Sequence, residues 1–505
     1  MLSASETAST VPKTSDSSFP VSIQVDASKS LGDLKPIWRF FGADEPNYAT
    51  MKDGRKLLSE LGQLRSGDVY FRAHNLLTSG DGTPALKWGS TNIYTEDAKG
   101  NPVYDFTVVD RIIANYLARG IHPYAEIGFM PEALSTQPEP YQHEWRPGLS
   151  FDHTGKGWSY PPKDYAKWSD LIYHWVKHCV DTFGREEVEK WYWEVWNEPN
   201  LSMYWRGTPE EFYKLHDYAI AGVKRALPTA RVGGPDVAGS GGALMNGFLE
   251  HVVHGKNYAT GQIGTPADFV SFHAKGSPKV IDNHVQLGIA NQLQTIDEAF
   301  KKIAAIPELK SKPLVIGESD PDGCAACTSS VYPQNDYRPG TLYSSYTMEA
   351  FARTWALAER DGVNIEGALS WSFEFEDQPY FAGFRVLATN GIDLPVLNVF
   401  KMLAQLPSQR VAAQSSAQLS LEDIEKHGVP DKADVAAIAT MDSHRIAILI
   451  WHYHDSALNG PDASIDLATS GLPAGVSSAK LTHYRIDETH SNAFTAWKKM
   501  GAPAG

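Results

Sequence analysis

The amino-acid sequence predicts an α/β protein, a (β/α)8 TIM barrel with an accessory C-terminal β-sandwich domain. Between Ile37 and Trp371, short apolar runs alternate with amphipathic helices, which is the pattern of repeated βα units. After about Gln405 the pattern changes to short strands separated by turn signals. The chain of 505 residues, 42% of them hydrophobic, is long enough to bury both cores.

Four segments follow from these changes in pattern. Residues 1–19 are rich in Ser and Thr and are predicted to form a disordered leader. Residues 20–36 contain a strand, Val21–Val25, that is predicted to join the sheet of the β-domain. Residues 37–404 form the catalytic barrel in this division, and residues 405–505 form the β-sandwich domain.

Eight strand candidates lie in the barrel segment. They are Trp38–Gly42, Val69–His74, His122–Ile127, Trp191–Trp196, Arg231–Gly234, Phe269–His273, Leu314–Gly317 and Gly367–Trp371. Helical spacing of apolar residues fills the intervals, for example from Val109 to Leu117 and from Trp168 to Phe183, where Gly184 is the expected C-cap. A doubly wound sheet is the alternative, but Gly239-Ser-Gly-Gly242 follows the fifth strand and does not match its phosphate loop.

The C-terminal segment predicts strands and no helical period of comparable strength. The strand candidates are Val435–Met441, Arg445–His454, Ala463–Leu467 and Lys480–Asp487. Turn signals such as Asn459-Gly460 separate them.

The net charge of −15 argues against nucleic acid or an anionic membrane as a partner. The longest apolar strand-like run, Ile446 to Trp451, is far below the ~18 residues of a membrane span. The first residues lack the apolar centre of a secretion signal. We therefore expect a cytoplasmic protein, or a periplasmic or secreted one whose signal has been removed. The sequence leaves the oligomeric state open.

The three cysteines are too few for a disulfide scaffold. Cys324-Ala-Ala-Cys327 lacks a second pair that would complete a zinc site, so it is interpreted as structural, either a loop disulfide or two free thiols. The sequence contains neither an H-E-x-x-H helix nor a nucleotide-binding loop. No metal or cofactor is therefore expected.

Side chains at the carboxyl ends of barrel strands face the active site of this fold. The residues at these ends are His74, Glu126, Asn197, Glu198, His273, Glu318 and Trp371. Glu198 and Glu318 both follow strongly apolar strands and are 120 residues apart, which places them after the fourth and seventh strands. Pro199 ends the fourth strand directly after the carboxylate. One such Glu alone would more often form a salt bridge or a cap.

Two carboxylates that face each other across a cleft are the machinery of glycoside hydrolysis. One protonates the leaving oxygen, and the other attacks the anomeric carbon or activates water. Asn197, beside the first carboxylate, is placed to hydrogen-bond a sugar hydroxyl. The pair therefore favours a glycosidase over a structural role for both residues.

The motifs around these residues resemble clan A of the retaining glycoside hydrolases, and more closely family 39, the β-xylosidase and α-L-iduronidase family. The resemblance rests on Trp196-Asn-Glu-Pro-Asn200, Gly317-Glu-Ser319, Tyr70-Phe-Arg-Ala-His74, Asp268-Phe-Val-Ser-Phe-His273, Phe375-Glu-Asp377, Phe381-Ala-Gly-Phe384, His483-Tyr-Arg-Ile-Asp487 and His490-Ser-Asn-Ala493. It extends from about residue 20 to about residue 500.

The resemblance implies that Glu198 is the acid/base and Glu318 the nucleophile. It also implies that Asn197, His74, His273 and Glu376 bind the sugar, and Trp371 is expected to form the floor of the sugar site. The alternatives are core histidines, a surface carboxylate at Glu376 and a packing role for Trp371. Lys275 is a departure, because the family usually has a Tyr at this position.

The expected activity is that of a bacterial retaining exo-β-1,4-xylosidase, which releases xylose from the non-reducing ends of xylo-oligosaccharides. Retention requires carboxyl groups ~5–5.5 Å apart. The alternatives are α-L-arabinosidase, β-glucosidase, α-L-iduronidase or endo-acting activity, with Lys275 or Arg72 available to bind a substrate carboxylate. A non-catalytic carbohydrate-binding barrel is a further alternative, but such a protein would be expected to have lost one carboxylate.

Overall fold

The computed structural model describes residues 18–84, 88–146, 149, 154–373, 376–472, 475–476 and 478–504. The predicted leader lies outside these ranges except for Ser18 and Phe19, which begin the first strand. The strands, in chain order, are β1 Ser18–Asp33, β2 Phe40–Ala43, β3 Val69–Ala73, β4 Tyr94–Glu96, β5 Pro102–Tyr104, β6 Ile121–Ile127, β7 Tyr192–Val195, β8 Arg231–Val237, β9 Phe269–His273, β10 Lys279–Ile281, β11 His284–Gln286, β12 Pro313–Glu318, β13 Asn364–Ala368, β14 Ser370–Phe373, β15 Ala388–Thr389, β16 Ile392–Asp393, β17 Gln409–Ser415, β18 Asp434–Met441, β19 Ile446–Tyr453 and β20 Asp462–Ser470.

The α-helices, in chain order, are α1 Lys52–Leu64, α2 Thr107–Leu117, α3 Tyr165–Phe183, α4 Arg185–Val188, α5 Pro209–Ala226, α6 Gly242–His254, α7 Ile289–Ala304, α8 Pro307–Lys310, α9 Thr341–Asp361, α10 Pro395–Leu403, α11 Leu421–His427 and α12 Ala493–Lys499. Both helices singled out by apolar spacing are confirmed as α2 and α3. Gly184 is the C-cap of α3, with a φ of 88° that favours glycine.

The predicted barrel with an accessory C-terminal β-domain is confirmed. Nine parallel strand segments pair in the order β13-β12-β9-β8-β7-β6-β3-β2-β14. The two end segments come from the predicted eighth strand, which Leu369 divides. β13 pairs with β12, and β14 pairs with β2, so the eighth strand bridges the two ends of the sheet and closes the barrel. The first strand begins two residues later than predicted because Ile37–Arg39 form a short 3-10 helix.

The accessory domain contains a mixed sheet in the order β19-β18-β17-β1-β20. β1 lies between β17, which is antiparallel to it, and β20, which is parallel. One face of this sheet packs on α9 of the barrel, where the ring centroids of Tyr453 and Tyr346 lie 5.8 Å apart. The opposite face carries a second apolar cluster that includes Val21, Ile23 and Val435.

The strand predicted at Lys480–Asp487 is wrong. Residues 480–487 form no strand, and Leu481 and Tyr484 face solvent, with exposures of 77% and 63%. Asp487 instead accepts local hydrogen bonds from the backbones of Thr489 and His490. The alternating apolar and polar residues of this segment therefore have no neighbouring strand with which to pair. β17 and the short helices α11 and α12 were not predicted from the sequence.

None of the helices in the described ranges is long and apolar enough to cross a membrane. The described residues also contain no group of three or more His, Cys, Asp or Glu side chains arranged to hold a metal ion.

Candidate active site

Glu198 and Glu318 lie at the carboxyl end of the barrel, as expected for strand-end residues. Glu318 is the last residue of β12, and Glu198 follows β7 by three residues. Glu198 has a φ of 43°, and its backbone N–H donates to the carbonyl of Asp236, 2.9 Å away. This tight turn before Pro199 directs the carboxylate into the barrel mouth. Both residues are buried, with exposures of 7% and 4%.

Two cationic side chains contact both carboxylates. The Lys275 Nζ is 2.6 Å from Oε2 of Glu318 and 3.5 Å from Oε1 of Glu198. The His273 Nδ1 is 2.8 Å from Oε1 of Glu198 and 3.7 Å from Oε1 of Glu318. Lys275 follows the sixth barrel strand and therefore occupies the space between the two candidate catalytic groups.

The carboxylate of Glu318 is surrounded by positive charge. Besides Lys275 and His273, its neighbours are Arg385 at 3.2 Å, His74 at 3.6 Å and Arg72 at 3.8 Å. Burial raises the pKa of Glu318, but Lys275 and His273 outweigh that effect and hold this pKa well below its ordinary value. Glu318 is therefore ionised at neutral pH, which is the state a nucleophile needs.

Burial and neighbouring positive charge also act in opposite directions on the pKa of Glu198. Burial raises the pKa of its carboxyl group, but the charge of Lys275 and the contact with His273 lower this pKa to about 2. In this state of the site Glu198 is a carboxylate at neutral pH. It can accept a proton from water, but it can donate one only if the cations beside it move.

His74 and His273 are buried and paired with carboxylates. His74 Nδ1 is 2.6 Å from Glu126, and its Nε2 faces Asp44 and Glu318. Burial lowers the pKa of each imidazole, but the neighbouring carboxylates raise the pKa of His74 to about 9 and that of His273 to about 10. Both histidines therefore carry positive charge at neutral pH.

Asn197 and Trp371 line the same site. The Asn197 Oδ1 accepts a hydrogen bond of 3.1 Å from Arg72, while its buried Nδ2 has no hydrogen-bond partner among the described residues. This amide is available to donate to a ligand hydroxyl. Trp371 lies with its ring centroid 5.2 Å from that of His74 and 5.3 Å from the guanidinium carbon of Arg385.

Glu376 is the predicted site residue that the structure does not bring to the pair. Its carboxylate accepts a hydrogen bond from the backbone N–H of Asp53, near the start of α1. Together with burial, its negative charge raises the pKa of Tyr48. Phe375, its neighbour in the sequence motif, lies outside the described residues.

Charged residues inside the barrel support the site, and neither Asp236 nor Glu194 among them was predicted from the sequence. Arg72 donates to Glu194 at 2.6 Å and also contacts Asp236 and Glu126. Asp236 in turn contacts His273 Nε2 at 2.8 Å. Burial, followed by the charge of Asp236, raises the pKa of Glu194 to about 7. The signal available in the sequence was strand alternation, because Arg72 points to the same side of β3 as His74.

Cys324 and Cys327 form a disulfide with a Cα–Cα distance of 5.4 Å. Of the two states left open by the sequence, the structure has the loop disulfide. The bond lies in the segment that directly follows Glu318.

Comparison with known proteins is consistent with this architecture along the whole chain. The chain is 28% identical over 486 residues to a beta-xylosidase of Geobacillus stearothermophilus, covering 93% of this chain and 84% of that protein. It is 25% identical over 524 residues to an alpha-L-iduronidase of Mus musculus, covering 96% and 73%.

Among solved structures, the GH39 enzyme of Xanthomonas axonopodis pv. citri has the same fold. The TM-score is 0.72 at 23% identity, and the match covers 98% of this chain and 90% of that one. The family model for glycosyl hydrolases family 39 matches residues 21–504. The chain is therefore a member of glycosyl hydrolases family 39, a family of glycosidases whose substrates are carbohydrates.

Proposed function

We propose that this glycosidase is a retaining exo-β-1,4-xylosidase that releases xylose from the non-reducing ends of xylo-oligosaccharides. The observation that carries the proposal is the pair Glu198 and Glu318, which meet at one cluster of cations at the barrel mouth. The 28% identity to a beta-xylosidase over nearly the whole chain supports the choice of sugar.

The spacing of the pair supports retention. Because Lys275 Nζ lies 3.5 Å from one carboxylate and 2.6 Å from the other, the two contacting oxygens are separated by at most these two lengths together. This limit on one oxygen of each group is compatible with the ~5–5.5 Å between the carboxyl groups of a retaining enzyme. The arrangement suits direct attack by Glu318 on the sugar.

In the first step, Glu318 attacks the anomeric carbon, and the bond from that carbon to the leaving oxygen breaks. Glu198 gives its proton to the leaving oxygen, and xylose stays bound to Glu318 through an ester. In the second step, Glu198 takes a proton from water as the water oxygen replaces Glu318 at the anomeric carbon. The free Nδ2 of Asn197 donates to a sugar hydroxyl during both steps.

Lys275 has to move during this cycle. Its ammonium group lies between the two carboxylates, where the anomeric carbon and the leaving oxygen have to bind. As the sugar displaces this charge, Glu198 regains a higher pKa and takes up the proton that it later donates. We therefore assign the ionised state of Glu198 to the empty site.

Hydrolysis of a panel of nitrophenyl glycosides tests the proposal. The panel contains the β-xyloside, α-arabinoside, β-glucoside and α-iduronide, with wild type and the Glu198→Ala and Glu318→Ala variants compared in parallel. We expect the β-xyloside to be hydrolysed fastest and Glu318→Ala to abolish turnover. Azide should restore Glu198→Ala and give a β-glycosyl azide, because the small anion replaces the water that this base activates.

Glu366→Ala is the matched control, since this glutamate lies in a barrel strand but pairs with Arg39 at the opposite end. It should keep wild-type turnover. An α-glycosyl azide from Glu198→Ala would contradict retention. Hydrolysis of no member of the panel would favour an endo-acting enzyme or a binding protein, and a faster reaction with another sugar would change the substrate alone.

A second candidate is α-L-iduronidase activity, favoured by the positive charge at the site. Lys275 and Arg72 both lie beside Glu318 and are able to pair with a substrate carboxylate. The 25% identity to an alpha-L-iduronidase supports this alternative. Lys275→Met distinguishes the two candidates. It should abolish iduronide hydrolysis at every pH if Lys275 binds the sugar acid, whereas xyloside hydrolysis should persist, with its pH profile moved, if the substrate is neutral.

A further inference from the structure

The segment after Glu318, residues 319–327, ends in a four-residue turn, residues 324–327, that the Cys324–Cys327 disulfide closes. Cys327 is 1% exposed, and Cys324 is half-buried at the edge of the turn. Ala325, between the two cysteines, packs in the same apolar cluster as Trp371. The disulfide therefore belongs to the wall of the candidate active site.

This turn holds Arg385 against Glu318. The backbone N–H of Arg385 donates to the carbonyl of Ala325 at 2.9 Å, and its Nη1 donates to the carbonyl of Asp322. The other terminal nitrogen, Nη2, donates to Oε2 of Glu318 at 3.2 Å. Arg385 is 1% exposed, so one buried guanidinium links the turn to the proposed nucleophile.

Arg338 also holds this turn, through hydrogen bonds to its backbone carbonyls. Its guanidinium donates to the carbonyls of Cys324 at 2.6 Å, Ala325 at 3.1 Å and Cys327 at 3.0 Å. It also donates to the carbonyl of Gly383, at 2.8 Å, two residues before Arg385. The closed shape of the turn brings these carbonyls together, and the disulfide is its covalent closure.

We propose that the Cys324–Cys327 disulfide is a redox-sensitive positioning device, which holds Arg385 against Glu318 when oxidised and releases it when reduced. The inference rests on the proposed role of Glu318 as nucleophile. A dithiol such as dithiothreitol supplies two electrons and two protons. The S–S bond breaks, each sulfur becomes a thiol, and the dithiol becomes a disulfide. Two thiol sulfurs cannot remain at bonding distance, so the two side chains separate, and we expect the turn that they closed to loosen.

Loss of the contact between Arg385 and Glu318 should change the pH dependence of the activity. The positive groups facing Glu318 are Lys275, His273, His74, Arg72 and Arg385. The negative groups beside these cations include Glu198, Asp320, Glu126, Glu194 and Asp236. Removing one cation raises the pKa of Glu318, which has to be ionised to attack. The acid limb of kcat/KM should therefore move to higher pH on reduction.

The experiment compares wild-type protein before and after treatment with dithiothreitol. Alkylation under denaturing conditions followed by mass measurement gives the fraction reduced. The readouts are kcat and the acid limb for nitrophenyl β-xyloside, and the hydrogen-exchange rate of the peptide that contains Arg385. The Cys324→Ser/Cys327→Ser double variant mimics the reduced state, and Cys179→Ala removes the remaining, buried thiol as a control.

We expect reduction to lower kcat by about tenfold, on the scale of a small misplacement beside the reacting atoms, with a smaller change in KM. Hydrogen exchange at Arg385 should become faster. The double variant should match the reduced protein, and dithiothreitol should not change it further. Cys179→Ala should behave as wild type. Fully reduced protein with unchanged exchange overturns the inference, whatever its activity. Faster exchange with unchanged kcat and acid limb also overturns it, because Arg385 would then not act on Glu318.

Failure of the proposed function has a different outcome, since oxidised protein would then not hydrolyse nitrophenyl β-xyloside. The exchange rate at Arg385 still tests the positioning role in that case. If the double variant does not fold, the reduced wild type provides the same comparison.

Discussion

At the scale of single residues, Lys275 has the largest effect on the chemistry of the site. Its ammonium group contacts both candidate catalytic carboxylates and stays protonated because their charges outweigh the effect of burial on its pKa. The same charge lowers the pKa of Glu198 and of Glu318. One side chain therefore controls the protonation of both groups.

We predict that Lys275→Met moves the whole pH profile of kcat/KM to higher pH. Without the ammonium group, the pKa of Glu198 rises from about 2, so the acid stays protonated further up the pH scale and the basic limb moves up. The pKa of Glu318 rises as well, so the acid limb moves in the same direction. Initial rates of both proteins, from the lowest pH at which they stay folded up to pH 9, measure this shift.

Lys301→Met is the control, because this lysine pairs with Asp297 on the exposed side of α7. It should leave both limbs in place. Unmoved limbs in Lys275→Met would show that the lysine lies away from the carboxylates in solution.

At the scale of elements, a buried charged cluster joins α9 to the accessory sheet. Arg353 donates to Glu349, one turn earlier in α9, and to Asp434 of β18, each at 2.6 Å. Trp451 of β19 also donates to Glu349. Burial raises the pKa of Glu349 to about 8, so the charge of Arg353 is balanced mainly by Asp434 at neutral pH. The domain contact therefore includes one buried ion pair.

Arg353→Met should destabilise the protein by about 3–5 kcal/mol, because it leaves Asp434 buried without its cation. Lys177→Met is the matched control. It also breaks a helical pair four residues apart, with Asp181, but both side chains of that pair are about half exposed. The control should cost less than about 0.5 kcal/mol. Urea denaturation of both variants measures the difference, and equal losses would contradict a role for burial.

At the scale of the whole molecule, the two ends of the chain meet in one sheet. β1 precedes the barrel in the sequence, yet it pairs with β17 and β20, which both follow the barrel. Ile23 in β1 is fully buried, while Leu467, its register partner in β20, is 38% exposed. The accessory sheet therefore requires the N-terminal strand β1. In the sequence, the barrel lies between β1 and the other four strands of this sheet.

Ile23→Ala should lower the free energy of unfolding by about 2–5 kcal/mol, because it leaves a cavity in the centre of the sheet. Leu467→Ala, on the neighbouring edge strand, should cost less than about 1 kcal/mol. The two variants are compared by urea denaturation with fluorescence detection. A similar effect of both would mean that β1 is not a central strand in solution.

Much of the fold could be predicted because its signals are local. The βα alternation predicted the barrel, and the apolar spacing predicted α2 and α3. The division of the eighth strand at Leu369 has no local signal, because it depends on which neighbours β13 and β14 meet. The failed strand at Lys480–Asp487 has the same origin, since alternation alone cannot supply a pairing partner.

The sequence by itself determined the barrel, the family and the two glutamates at strand ends, because hydrophobic periodicity and a short motif express them directly. Only the tertiary structure decided that Lys275 lies between those glutamates, that Arg385 is held by the disulfide-closed turn, and that Glu376 is bound to α1. These contacts join residues far apart in the chain. Their electrostatic effects depend on distance and burial, which folding sets and which a sequence pattern does not encode.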